Sequence, residues 1–350
     1  MRTRSLLAVV ALVPLAALPA VARSAPDDAV RIRTVPEKLF VEDDGVETTI
    51  FYHLVIENGG DAAVTIDALT ERFVGDPGEE RTLTAEQVAK VSRRGTATIE
   101  PGGRLVIFGR THRVEGAGRV ERLVIEAGGA RFETPVHTYE QKNVFRLPFA
   151  GEWLVAVGHR PGEHHRTAAD AQAFAWDIMA LDEKGRGFRP RAGGGRPRAE
   201  DAVTFGLPLL APAAGTVVRA KDGRRDVDPG PAQFQGGIPE GEDRDVILGN
   251  YVVIDHGHGE FSLLAHMRNG SIAVKVGDRV RDGQKVGECG NSGNTTQPHV
   301  HFQVMDGPDH IGSTGLPIRF SDYEERRGAR TRHVRRGVPR SGAFVRRAPW

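Results

Sequence analysis

Apolar residues recur at every second position in short runs closed by glycine, and this period of two commits much of the chain to β-structure. Ile50, Tyr52, Leu54 and Ile56 occupy one face of such a run, which meets the turn Asn58-Gly59-Gly60-Asp61; Val64, Ile66 and Ala68 resume the alternation beyond it. Leu105 to Phe108, Leu123 to Ile125 and Phe132 to Val136 are further short runs of the same kind. Forty-three glycines and 21 prolines leave little room for long helices. Thr84 and Gln87 carry the capping-box spacing for one short helix over about 85–91. Residues 30–147 are therefore expected to form a small all-β domain, an immunoglobulin-like sandwich. It holds no catalytic constellation: His53 sits on an alternating strand and reads as a half-buried structural residue.

The N-terminus reads as a secretory signal over residues 1–22. Arg2 and Arg4 precede an apolar stretch from Leu6 to Leu18, and Ala20-Val21-Ala22 offers small residues for cleavage. Removing 22 of 350 residues leaves 328, enough for two domains of roughly 150 residues each. No later apolar run is long enough to cross a bilayer, so no membrane span is expected after cleavage, and the mature chain is expected in the periplasm or outside the cell. Cys289 is the only cysteine, which excludes an internal disulfide and reads as a small buried apolar residue rather than a nucleophile. With 47 basic and 46 acidic residues, net charge selects no partner. The last 25 residues carry nine arginines and no acid; in an exported chain they suit a solvated surface meeting anionic material better than a nucleic-acid arm.

Chemistry concentrates in the C-terminal half, expected as a second domain over 151–350. Gly290-Asn291-Ser292-Gly293-Asn294-Thr295-Thr296-Gln297-Pro298 leads into His299-Val300-His301-Phe302. On a strand His299, His301 and Gln303 share one face and Val300, Phe302 and Val304 the other. Two adjacent imidazoles fit a site where one binds a cation and the other handles a proton. His266 ends a run in which Phe261, Leu263 and Ala265 point one way; parity groups it with Ser262 and Leu264. Asp177 points away from the apolar face Phe174, Trp176, Ile178, and His164 and His165 lie just upstream. Imidazoles plus a carboxylate are a donor set that zinc accepts, with three protein ligands and one position left for water. His256 and His258, between glycines, read as turn residues, and Asp226 and Asp228 as loop-ordering side chains.

Residues 151 to about 345 resemble the LytM/lysostaphin-type zinc endopeptidase domain, a β-rich duplicated-hybrid-motif fold. The Gly-Asn-Ser-Gly-Asn…Pro-His-Val-His segment carries the likeness, supported by Leu210-Ala211-Pro212-Ala213, Gly249-Asn250 and Leu264-Ala265-His266-Met267. The resemblance implies one Zn2+ per chain, with His301, Asp177 and an upstream histidine as ligands, and His266 and His299 as catalytic residues that do not bind metal. It implies hydrolysis of peptide bonds of bacterial peptidoglycan by metal-activated water. One departure stands in the upstream ligand: the simplest family form places it four residues before the aspartate, whereas His165 precedes Asp177 by 12. Gln172 to Asp177 matches a longer family form, and His165 is preferred to His164 and His159 as nearer the strand. Which of His266 and His299 is general base and which stabilises the oxyanion stays open, as does the bond cut. Long loops, Lys184 to Asp201 and Asp222 to Asp245, are expected to wall a groove. Two rivals are weighed. A non-catalytic relative that binds and activates a cell-wall amidase would lose metal ligands, which this chain retains. A biotinyl- or lipoyl-type carrier would need a modified lysine in a tight turn, which Val274 to Gly287 does not supply.

Overall fold

The computed structural model describes residues 29–348 apart from 44–46, 76–78, 115–118, 159–164, 166–169, 192, 235–237 and 239–240. The signal segment and the alternative ligands His159 and His164 lie outside the described residues. The chain is mostly β, as the alternation demands.

The long strand Thr48–Asn58 organises the N-terminal half. Arg104–Arg113 pairs along it on one side, while Val30–Val35 and Leu39–Asp43 share the other end to end. The sheet continues through Ala130–Thr138, Arg122–Ala127 and Ala68–Val74 to Glu80–Thr84. One pairing, Ala130–Thr138 with Leu39–Asp43, is parallel. The immunoglobulin-like assignment of this all-β unit is our proposal. Ile50, Tyr52, Leu54 and Ile56, alternate residues of the long strand, join Leu69, Leu105, Leu123 and Ile125 in one buried cluster. The helix forms over Ala85–Val91, with Thr84 accepting from the Gln87 backbone and the Gln87 side chain accepting from the Thr84 backbone. His53 is buried and takes the Gly109 N–H on Nδ1 at 2.9 Å, a structural role.

The C-terminal half forms a ten-stranded sheet. Its central order runs Gly215–Lys221, Asn250–Asp255, Phe261–Met267, Val300–Met305, Trp176–Met179, Trp153–Val157, with Phe344–Arg347, Phe320–Arg327 and Arg330–Gly337 completing one edge. Its two faces bury different clusters. Trp153, Trp176, Leu264, Phe302 and Phe320 belong to the larger, and Leu248, Tyr251, Val253, Leu263, Ala265 and Met305 to the smaller. Cys289 is fully buried in the larger cluster, and burial pushes its thiol well above the usual range, in keeping with an inert packing role.

Residues 139–149 pack with the C-terminal half. Phe145, Leu147 and Phe149 are fully buried in the larger cluster. The buried Glu260 carboxylate accepts from the Tyr139 hydroxyl, from the backbone of Lys142 at 2.7 Å and of Asn143 at 2.9 Å, and from the Asn143 amide at 2.7 Å. We propose that the second unit begins near Tyr139 rather than at residue 151, because a cut at 150 divides this core.

Candidate metal centre

Three adjacent antiparallel strands position the site. Asp177 lies opposite His301, and His301 opposite Ala265. Cross-strand partners share a face. Trp176, Ile178, Val300, Phe302 and Val304 fill the larger core, so Asp177, His301 and Gln303 turn to the other side, as strand parity requires.

His266 does not obey that parity. Leu264 points into the larger core opposite Phe302, and simple alternation would send His266 there as well. Instead the strand carries a bulge: Asn250 pairs with Met267 but Val252 with Leu264, so Ala265 and His266 together oppose Tyr251. His266 takes φ +58°, a left-handed conformation that costs a non-glycine residue on the order of 1–2 kcal/mol. Bulges of this kind re-aim side chains beside functional sites. The His266 ring thereby comes within 4.8 Å of the His299 ring and 5.9 Å of the His301 ring, centroid to centroid.

Three imidazoles converge on one oxygen, Asp177 Oδ1: His165 Nε2 at 3.2 Å, His299 Nε2 at 3.2 Å and His301 Nδ1 at 3.1 Å. All four histidines are buried. The far nitrogen of three rings is fixed by an acceptor, which sets the tautomer. His266 Nδ1 donates to the Ser292 carbonyl at 2.8 Å and His299 Nδ1 to the Gln297 carbonyl at 2.8 Å. His301 Nε2 lies 2.8 Å from Gln303 Oε1, and the Gln303 amide nitrogen meets the Met305 sulfur, which can only accept. His301 therefore donates through Nε2 and aims the Nδ1 lone pair at Asp177.

A lone pair facing a carboxylate oxygen at hydrogen-bond distance is repulsive unless a positive species lies between them. The ligand atoms of His165, Asp177 and His301 all lie within 4.8 Å of one another. This donor set, two imidazole nitrogens and one carboxylate oxygen, fits a divalent transition metal, zinc above all. Electrostatics agree. Burial alone would raise the Asp177 carboxyl, but His165 and His299 outweigh it and hold it well below the usual range. Burial, reinforced by His299 and His301, keeps His266 neutral, and burial lowers His301 too. His299 differs: burial opposes its charging, yet Asp177 and the Gln297 carbonyl raise its basicity overall.

The Gly-Asn-Ser-Gly-Asn segment builds the wall behind these rings. Asp226 accepts from the Asn291 backbone at 2.7 Å, the Asn291 amide donates to the Val227 carbonyl at 2.7 Å, and Thr295 donates to Asn291 at 2.9 Å. Asp228 accepts from the Ala199 backbone, so both aspartates order loops as their sequence setting suggests. Gly249 adopts φ 67°, ψ −129°, and a Cβ there would stand 2.4 Å from the carbonyl carbon and oxygen of Ser292. Gly249→Ala is expected to cost on the order of 3 kcal/mol from backbone strain alone and to displace the carbonyl that holds His266. A fall in both Tm and turnover checks this; an unchanged Tm would contradict it. Gln303→Leu removes the acceptor that fixes His301. It is expected to weaken zinc binding roughly 10- to 100-fold, measured by competition with a chromogenic chelator, while Gln303→Glu keeps the affinity.

His256 is no ligand: its nitrogens contact the Ala214 carbonyl at 2.8 Å and the Ser262 hydroxyl at 2.7 Å. His258 takes φ +58° in the adjoining turn. A second cluster, Asp245, Asp309 and His310, escaped the sequence reading. Arg219 and the Tyr251 hydroxyl already bind the Asp245 carboxylate, and Arg219 also approaches Asp309 at 3.9 Å, so the guanidinium supplies the positive charge that a cation would bring.

Residues 200–313 match Peptidase family M23, a span that contains His266, His299 and His301 but neither His165 nor Asp177. A 165-residue stretch is 28% identical to Peptidoglycan DD-endopeptidase ShyA of Vibrio cholerae, covering 44% of this chain and 33% of that protein. Over 103 residues the chain is 39% identical to an uncharacterized metalloprotease of Buchnera aphidicola, covering 29% of this chain and 21% of that one. The chain thus spans a third or less of the length of these relatives. The catalytic domain of the prophage-encoded M23 protein EnpA from Enterococcus faecalis aligns over 49% of this chain and 93% of its own, at 22% identity and a TM-score of 0.29.

Proposed function

We propose, on the premise that residues 200–313 match Peptidase family M23, that the chain is an exported, zinc-dependent endopeptidase that hydrolyses peptide bonds of bacterial peptidoglycan. The observation that carries the reading is the convergence of His165, His299 and His301 on Asp177 Oδ1 with His266 beside them. His165, Asp177 and His301 would hold one zinc ion, which supplies Lewis acidity and makes water a nucleophile near neutral pH.

The remaining two histidines divide the proton work. His266 is neutral, and its Nδ1–H is committed to Ser292, so Nε2 presents a lone pair and suits a proton acceptor. His299 donates Nδ1–H to Gln297 and binds a second proton more readily than an ordinary imidazole. Its Nε2–H suits a donor to the oxygen that becomes negative as the peptide carbonyl is attacked. Burial of all four rings keeps bulk water away and strengthens these interactions. The loops 184–201 and 222–245 would wall the peptide groove. A non-catalytic amidase-binding role would leave four buried histidines gathered around one carboxylate without a task. No helix among the described residues is long and apolar enough to cross a membrane.

The test is incubation with defined peptidoglycans and mass spectrometry of the soluble products. New amine and carboxyl ends at one peptide bond, abolished by a chelator and restored by zinc, support the reading. Unaltered muropeptides from every wall type would sink it.

A further inference from the structure

Charge is distributed unevenly over this molecule. The whole chain has a formal net charge of +1, yet residues 320–350 hold nine arginines against three acids. They form the sheet edge Phe344–Arg347, Phe320–Arg327 and Arg330–Gly337, with the last as the outermost strand. Two of the three acids there are closely engaged, Glu324 by Arg346 at 2.5 Å and Glu325 by Arg327 and Arg332, both at 3.1 Å, and the third, Asp322, lies 3.9 Å from Arg146. Arg326 reaches Glu152 at 2.6 Å and Arg347 reaches Asp282 at 2.9 Å. Arg330, Arg335 and Arg336 are exposed and make no ion pair among the described residues. Arg336 also lines a cleft of about 560 Å³ beside the N-terminal half, together with Lys142 and Arg319. Lys142 pairs with Glu140 at 3.0 Å and Arg319 with Asp43 at 2.8 Å, so Arg336 is the cation of that cleft free to take an anion.

An edge strand bearing arginines is protected against pairing with another strand, but any exposed charge achieves that. Here the charge is of one sign over the full strand, and Arg336 carries it to a cleft that Glu42, Asp43 and Glu140 also line. Four strand steps separate this edge from the Asp177 strand, a distance of roughly 19 Å. We propose that the Arg330–Gly337 edge, with Arg330, Arg335 and Arg336 as its contacts, docks the carboxylates of peptidoglycan stem peptides and thereby holds the polymer beside the groove. This rests on the wall as substrate, because a covalent network bearing carboxylates along its strands presents anions at the edge while another peptide occupies the groove. Nucleic acid offers the same charge but gives the groove nothing to cleave.

The experiment is co-sedimentation of the full chain with insoluble sacculi in a chelator, so that nothing is cut. Binding is expected at low ionic strength, to weaken steeply between 50 and 500 mM salt (about 14 to 4 Å of screening length), and to fall when the wall carboxylates are amidated. The variant R330Q/R335Q/R336Q is expected to bind about tenfold more weakly, with Tm and turnover of a soluble cross-linked peptide unchanged. The single reversal R335E should weaken binding in the same direction should the triple variant not fold. Equal sedimentation of wild type and variants, indifference to amidation, or tighter binding to duplex DNA than to sacculi at matched salt would each overturn the proposal. Failure of the wild type to cut any soluble wall peptide would overturn the peptidase reading instead, and the sedimentation result would show whether the edge still binds wall.

Discussion

Replacing His301 or Asp177 by alanine is expected to yield a folded protein that holds no zinc, whereas His266→Ala and His299→Ala keep about one equivalent and lose turnover. Asp177 carries the oxygen on which His165, His299 and His301 all converge, so its loss removes the only carboxylate of the site among the described residues and leaves the more basic His299 ring without its counter-charge. His301 brings a lone pair whose direction Gln303 fixes, and alanine at that position offers no donor in its place. His266 stands apart from the carboxylate: it contacts the Ser292 carbonyl and the neighbouring rings, so its removal should spare the metal. Loss of a proton-transfer group costs typically about 10²- to 10⁴-fold in rate, and loss of the metal should cost more. Elemental analysis of each variant alongside its kcat separates the two classes. His299 approaches Asp177 Oδ1 as closely as His165 does, both at 3.2 Å. Zinc-free His299→Ala with metallated His165→Ala would exchange the roles of those two residues.

The parts of this site that were legible in the sequence are those that obey a local period. His299, His301 and Gln303 fall on one face because a strand alternates, and Asp177 opposes Trp176 and Ile178 for the same reason. The helix at Ala85–Val91 followed from two side chains three residues apart. His266 reaches the site by a route that alternation alone misdirects. The bulge opposite Tyr251 is set by pairing with a strand some 15 residues earlier in the chain, and no residue at 265–267 announces it. Non-local pairing also hid the Asp245–Arg219–His310 network, whose members come from three separate segments. The upstream histidine is intermediate: composition offered several candidates, and only a three-dimensional arrangement brings His165 Nε2 to Asp177. Charge was legible as a run of arginines, but which of them are spent on ion pairs depends on strands that meet only in the folded sheet.

A fragment of residues 150–350 is expected to be insoluble or largely unfolded, and one of residues 138–350 to fold and bind zinc. The sequence suggests a boundary between residues 147 and 151, where one run of short alternating strands ends and the stretch denser in glycine and histidine begins. Phe145, Leu147 and Phe149 nevertheless lie fully buried among Trp153, Trp176 and Phe320. Phe149 stacks on Trp153 with ring centroids 4.5 Å apart, and the Arg146 and Leu210 backbones bond across this segment to Pro212 and Pro148. Emptying one large core position costs about 2–5 kcal/mol, so losing three approaches the whole stability of a domain, about 5–15 kcal/mol. The shorter fragment also strips Glu260 of the Tyr139, Lys142 and Asn143 donors and leaves a buried carboxylate unsatisfied. Retaining residues 138–149 restores the three apolar side chains and every one of those donors. Phe40 contributes to the same cluster from the N-terminal half, packing on Phe174 and Tyr139. The longer fragment should therefore melt below the full chain yet keep a cooperative transition and one equivalent of zinc. Circular dichroism melts and zinc content of both fragments decide the matter: a soluble, zinc-loaded 150–350 fragment would show that the 139–149 segment is dispensable and that the boundary lies near residue 151.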